Sequence, residues 1–189
     1  MAHMAAVMGW YGPYRTIAAA KQSAMYDGYW DGLYVVFGYK DLPARGRPRM
    51  LYVGVGAPLY NRLTSTHHKI GTGKVARITS IWLGVVESHK VPGRREKKIE
   101  PLIDTVEWAM IAILAPCQNE KKRSFPARSF AIMNRWYSNE DYSLSLPKPS
   151  LNWPDIIECS GPQAPAYLCW LEQQKVRRFE RPPRSISKG

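Results

Sequence analysis

Residues 32–55 read GLYVVFGYKDLPARGRPRMLYVGV, and their reading decides the fold. Gly32–Tyr39 and Met50–Val55 are runs of β-branched and aromatic residues, the types that fit a pleated, half-buried surface. Asp41–Arg49 between them holds two prolines, one glycine and three arginines, a composition that breaks both strand and helix. The stretch predicts a β-hairpin with a long basic loop. Each arm also carries a tyrosine close to a glycine, in Gly32-Leu33-Tyr34 and in Tyr52-Val53-Gly54. Glycine weakens a strand, so its presence marks a close approach by a ligand or another backbone.

Outward from the hairpin, Tyr14–Tyr26 contains the Ala-rich IAAAKQSAMY and predicts a helix ended by the Asp27-Gly28 turn. Downstream, Leu59–Lys69 predicts a short helix broken by GTGK, and Ile78–Val86 (ITSIWLGVV) a third strand. Past the basic break at Val91–Lys98, Pro101 is placed to start a helix that runs to Ala115 and is stopped by Pro116. The order β-β-α-β-α predicts an α+β fold: a small three-stranded antiparallel sheet with flanking helices over residues 30–125. An N-terminal helical extension (1–29) and a loop-rich C-terminal extension (126–189) complete the expected organisation. The stretch from Lys121 onward holds eight of the fifteen prolines. It offers regular pieces only at Phe130–Tyr137 and Ala166–Val176, with a disordered basic tail expected from Arg177.

The chain has 189 residues, enough for a substantial core. Its 27 Lys+Arg against 15 Asp+Glu give a net charge of +12, which favours a polyanionic partner. The charge is unevenly placed: residues 40–98 carry thirteen Lys+Arg against Asp41, Glu87 and Glu96, whereas residues 99–120 carry four acids and no base. An acidic island between basic segments suits a carboxylate metal site beside a phosphate-binding surface, and equally an amphipathic helix with a solvated acidic face. Cys117, Cys159 and Cys169 form no CxxC pair, so neither a disulfide framework nor a cysteine zinc site is suggested. The longest apolar run, Ala109–Ala115, is far too short to span a bilayer. A cytoplasmic protein with no membrane partner is expected.

Two phosphate-loop patterns fail. Gly54-Val55-Gly56 has Leu59 where a dinucleotide fingerprint needs its third glycine, and Gly71–Lys74 is preceded by His68 and followed by Val75 where a phosphate loop needs Gly and Ser or Thr. What survives is an ordered set: the two strand tyrosines, Arg62 on the short helix, Glu107 in the acidic helix and Asn119 just after it. Glu107 lies at the edge of the stripe formed by Ile103, Val106, Met110, Ile111 and Leu114, and so points partly inward. Each residue alone has an ordinary reading, as a packing tyrosine, a solvated arginine or a surface glutamate.

Together, Gly32-Leu33-Tyr34, Tyr52-Val53-Gly54, Arg62 in LYNRL, Glu107 in VEWAMIAILAP and Asn119 in PCQNEKKR resemble the GIY-YIG nuclease family in residue type and order. Two departures stand out: 17 residues separate the tyrosines, more than the family's usual spacing, and Val53 replaces the usual Ile. The resemblance implies a metal-dependent DNA endonuclease that hydrolyses phosphodiester bonds and uses Mg²⁺ or Mn²⁺. By the same resemblance Tyr34 is the general base, Tyr52 a second phenol, Arg62 the ligand of the scissile phosphate, Glu107 the metal ligand and Asn119 an orienting residue. His67 or His68 falls where several members keep a histidine that assists the base. The partner implied is double-stranded DNA, contacted by Arg45, Arg47, Arg49, Lys69, Lys74 and Arg77, with monomer and homodimer both open. A stand-alone chain suits restriction-type cleavage; structure-specific repair or homing cleavage, and a non-catalytic nucleic-acid-binding module, are the alternatives.

Overall fold

In the computed structural model the hairpin forms, with β2 (Gly32–Tyr39) antiparallel to β3 (Arg49–Gly56), Tyr34 opposite Gly54 and Val36 opposite Tyr52. The structure is described for residues 4–42, 46–67, 69–71, 74–87, 100–122, 128–144, 148–161 and 164–180. The third expected strand is β4 (Arg77–Val86), antiparallel to β2 on its other side, with Tyr34 opposite Leu83. The short helix is α2 (Leu59–Arg62) and the acidic helix is α3 (Glu100–Leu114). Ala115, at φ 46° ahead of Pro116, ends α3 in the left-handed region.

The expected three-stranded sheet with flanking helices is not what forms. The sheet is mixed and eight-stranded, in the order β3-β2-β4-β1-β5-β6-β7-β8, with three helices among the described residues. The first addition is β1 (Met4–Tyr14), which lies antiparallel to β4 on one side and parallel to β5 (Phe130–Ser138) on the other. Its sequence, MAAVMGWYGPY, is rich in residues of low strand propensity, and pairing on both edges outweighs that preference. The predicted helix at Tyr14 begins later, as α1 (Ile17–Tyr26), where the Thr16 hydroxyl accepts the Ala19 N–H at 3.1 Å as N-cap.

The proline-rich third supplies the remaining strands: β6 (Ile156–Cys159), β7 (Ala166–Trp170) and β8 (Lys175–Phe179), each antiparallel to its predecessor. Arg177–Phe179, expected to open a disordered tail, are the end of β8. Residues 181–189 and the basic stretch Val91–Lys98 lie outside the described residues.

Helix α3 buries Ile103, Val106, Met110 and Ile111 on one face of the sheet, against Ala6, Met8 and Trp10 of β1 and Leu33, Val35 and Phe37 of β2. Trp153 joins this core, its ring 4.7 Å from that of Trp10 and 5.8 Å from that of Phe37. A tryptophan with no exposed surface contributes several kcal/mol of apolar burial, of order 3 kcal/mol. The Trp10 indole N–H donates to Asn134 Oδ1 at 2.8 Å, and Asn134 in turn donates to the carbonyl of Pro154, which pins the Trp153 loop. The opposite face, at the β3-β2-β4 end, is covered by α1 and α2 over Tyr34, Val36, Leu51, Ile81 and Leu83. Among the described residues no helix is long and apolar enough to cross a membrane.

Candidate active site

Tyr34 and Tyr52 lie on one face of the hairpin, diagonal neighbours across β2 and β3, with ring centroids 5.8 Å apart. Gly54 makes their meeting feasible. A Cβ at that position would stand 2.5 Å from Tyr34 Cζ and 2.6 Å from Tyr52 Cε1, distances no real side chain occupies. Gly56 does the same for Arg62, whose Cγ would be 2.8 Å from an added Cβ. Helix α2 thus lays the stem of Arg62 directly over the end of β3.

His67 reaches the tyrosines from the turn after α2. Its Nε2 is 2.8 Å from the Tyr34 hydroxyl, and its ring stands edge-on to Tyr52 at 5.2 Å. The turn closes through the Gly71 N–H donating to the His67 carbonyl at 2.7 Å, and a Cβ on Gly71 would collide with that carbonyl at 2.6 Å. The Lys69 N–H donates to His67 Nδ1 at 3.2 Å. This bond assigns the neutral tautomer: Nδ1 is the acceptor, so Nε2 carries the proton and donates it to the Tyr34 oxygen. His67 is thus at the site, and His68 lies outside the described residues.

Asn119 is buried beneath the site and bonds backbone, as a strand neighbour would. Its Oδ1 accepts the Val53 N–H at 2.9 Å and its Nδ2 donates to the Val53 carbonyl at 2.8 Å, while the Gln118 N–H donates to the Leu51 carbonyl at 2.8 Å. Edge strand β3 is thereby paired, and the chain leaving α3 is fixed to it. This anchorage sets Glu107, only 8% exposed, at the mouth of a cleft of about 250 Å³ lined also by Tyr52, Arg62, Lys69 and Lys122. That is several times the ~30 Å³ share of one water molecule.

Lys122, which the sequence reading did not single out, is the nearest partner of Glu107. Its ammonium lies 2.5 Å from Glu107 Oε2 and 2.5 Å from Asp104 Oδ1. Its backbone is held at φ 60°, a conformation that costs a side-chain-bearing residue about 1 kcal/mol. Burial pulls the ammonium's pKa down, but the hydrogen bonds to Asp104 and Glu107 outweigh it and the net shift is upward. The signal available in the sequence was the Asp104/Glu107 pair, three residues apart and so neighbours on the helix surface.

Burial also raises both phenols. Tyr34 is pushed far above the ordinary tyrosine range, first by burial and then by Tyr52, with Arg62 opposing. Tyr52 is raised by burial and by Glu107, with Arg62 and Lys69 pulling it back. Both are neutral phenols at neutral pH.

The residues expected to contact DNA divide. Lys69 lines the cleft and pairs with Glu120 at 2.5 Å. Lys74 adjoins it, its carbonyl accepting from Gln118 Nε2 at 3.1 Å. Arg77 is exposed at the start of β4 opposite Tyr39, and Arg47 and Arg49 line grooves at the other end of β3. Arg45 lies outside the described residues.

The chemistry of the donor set tests a divalent cation. Among the described residues no three His, Cys, Asp or Glu side chains converge. Glu107 and Asp104 nonetheless already hold one cation between them, the Lys122 ammonium. One or two carboxylates completed by water and substrate oxygens is the usual provision for Mg²⁺, so the residues fit that ion. Comparison with known proteins finds no matching family model, no matching curated protein and no matching solved structure.

Proposed function

We propose that the protein is a metal-dependent DNA endonuclease of the GIY-YIG type, cutting double-stranded DNA in the manner of a restriction enzyme, in the cytoplasm. The observation that carries the reading is the pairing of the Tyr34 phenol with His67 beside a cleft lined by Arg62 and Glu107. These residues span 74 positions from Tyr34 to Glu107; Tyr34 is fully buried in the core on the α1–α2 face, and its neighbour Tyr52 lines the cleft with Arg62 and Glu107.

In this reading Arg62 holds the scissile phosphate through charge-assisted hydrogen bonds from its planar fork. His67 Nε2–H holds the Tyr34 oxygen in place and stabilises it once deprotonated. As a phenolate, Tyr34 takes a proton from the attacking water; the water oxygen bonds to phosphorus and the bond to the 3′ oxygen breaks. Glu107, together with Asp104, would hold Mg²⁺ or Mn²⁺, which when bound neutralises charge on the phosphate and the leaving oxygen. Asn119 positions without touching substrate.

A second reading is favoured by one feature: Lys122 already neutralises Glu107, as a metal-free nucleic-acid-binding module would require. Incubation with plasmid and short duplexes, with Mg²⁺ or with EDTA, separates the two. The nuclease cuts only with metal and loses its cutting in Glu107→Gln; the binding module never cuts.

A further inference from the structure

Sheet order puts β3 and β8 at opposite edges of the eight-stranded sheet, yet both edges line one groove. The sheet curls around the C-terminal end of α3, and between its edges lies a space of about 660 Å³. Arg47 and Arg49 line it from the β3 side, and Lys175 and Arg177 from β8. All four are exposed, and no Asp or Glu is among the described residues that line the groove.

The strand register explains the arrangement on β8. Lys175 is opposite Trp170 and Arg177 opposite Leu168, so both basic side chains share the groove face with those two apolar residues, while Arg178 falls on the other face. Lys175 is held over the Trp170 ring, its Nζ 5.2 Å from the centroid. The groove and the cleft share no lining residue, but both draw on β3. From Arg49 to Tyr52 is three residues along one strand, ~10 Å, which corresponds to about three base-pair steps along a duplex.

We propose that this groove holds the phosphate backbone of duplex DNA flanking the cleaved site, with the β7–β8 hairpin as the clamp arm opposite Arg47 and Arg49. The inference rests on the nuclease reading for its choice of occupant. Charge argues for it: two facing rows of cations without a carboxylate suit an extended polyanion, and a concave groove does not fit a flat anionic membrane. A two-stranded β-ribbon with exposed basic side chains is moreover a shape that docks on duplex DNA.

The test is fluorescence anisotropy of a labelled DNA duplex with the full chain, in EDTA so that nothing is cut, across a series of salt concentrations. Lys175→Gln with Arg177→Gln is expected to weaken binding tenfold or more, and to lower the salt slope by about 1.8, for two lost phosphate contacts. Arg178→Gln, on the opposite face of the same strand, is expected to leave both unchanged. Circular dichroism of each variant confirms that the sheet is intact, and the paired substitutions made singly serve if the double variant misfolds. Equal affinity and slope for the groove variants and the parent would overturn the proposal, as would tighter binding of an RNA duplex, a single strand or anionic vesicles. Groove-dependent duplex binding without any Mg²⁺-dependent cut would leave the groove standing and remove the nuclease reading. Cutting with unchanged binding in the groove variants would do the reverse.

Discussion

Lys122 decides how Glu107 meets a cation. Its ammonium bridges Glu107 and Asp104, so a divalent ion arriving at Glu107 has to displace it. Lys122→Met removes the competitor and leaves two carboxylates three residues apart on one helix, and the Mn²⁺ affinity of the free protein, measured by titration calorimetry, is expected to rise about tenfold or more. An unchanged affinity would show that the ion and the ammonium do not share a place. Tyr34 makes the other residue-scale prediction. Because burial raises its pKa, the phenolate fraction below that pKa grows about tenfold per pH unit. The single-turnover cleavage rate is expected to climb with that slope to at least about pH 9, and Tyr34→Phe to lower the rate about 10²- to 10⁴-fold. A profile flat above neutrality would assign the base elsewhere.

At the scale of elements, the segment after α3 acts as a strand without being one. Asn119 gives Val53 both hydrogen bonds that a neighbouring strand would give. Asn119→Ala leaves a buried N–H and carbonyl unpaired, and urea unfolding is expected to show a loss of about 1–3 kcal/mol, with slower cleavage because Glu107 is no longer held at the cleft. A loss within about 0.5 kcal/mol would mean that water or a shifted backbone takes over the role. The hairpin, β4, α2 and α3 were readable locally, from β-branched runs and from prolines that bracket a helix. Strand β1 was not, since Ala, Gly and Pro make up five of its eleven residues and its conformation comes from pairing with β4 and β5. Of the C-terminal strands, β5 and β7 fall in the regular pieces expected at Phe130–Tyr137 and Ala166–Val176, whereas β6 and β8 were hidden, and the pairing of all of them is visible only once β5 has added to β1.

For the whole molecule, those extra strands change where the charge lies. A three-stranded sheet would have left Arg47 and Arg49 on a free edge; the eight-stranded sheet brings Lys175 and Arg177 opposite them across a groove. Tyr34, Tyr52, Arg62, Glu107 and Asn119 were legible as an ordered pattern, because each sits in or beside a locally readable element, whereas the choice between His67 and His68 stayed open. Lys122 and the β8 cations were not, because only the tertiary fold places them. Among the described residues, cations line both the cleft, with Arg62, Lys69, Lys121 and Lys122, and the groove, with Arg47, Arg49, Lys175 and Arg177. The most direct test of the central claim is digestion of supercoiled plasmid by the full chain with Mg²⁺, with EDTA, and with Glu107→Gln in Mg²⁺. Nicked or linear products that require Mg²⁺ and fall about a hundredfold or more in the variant are the predicted result; cutting that persists undiminished in Glu107→Gln, or no metal-dependent cutting at all, would contradict it.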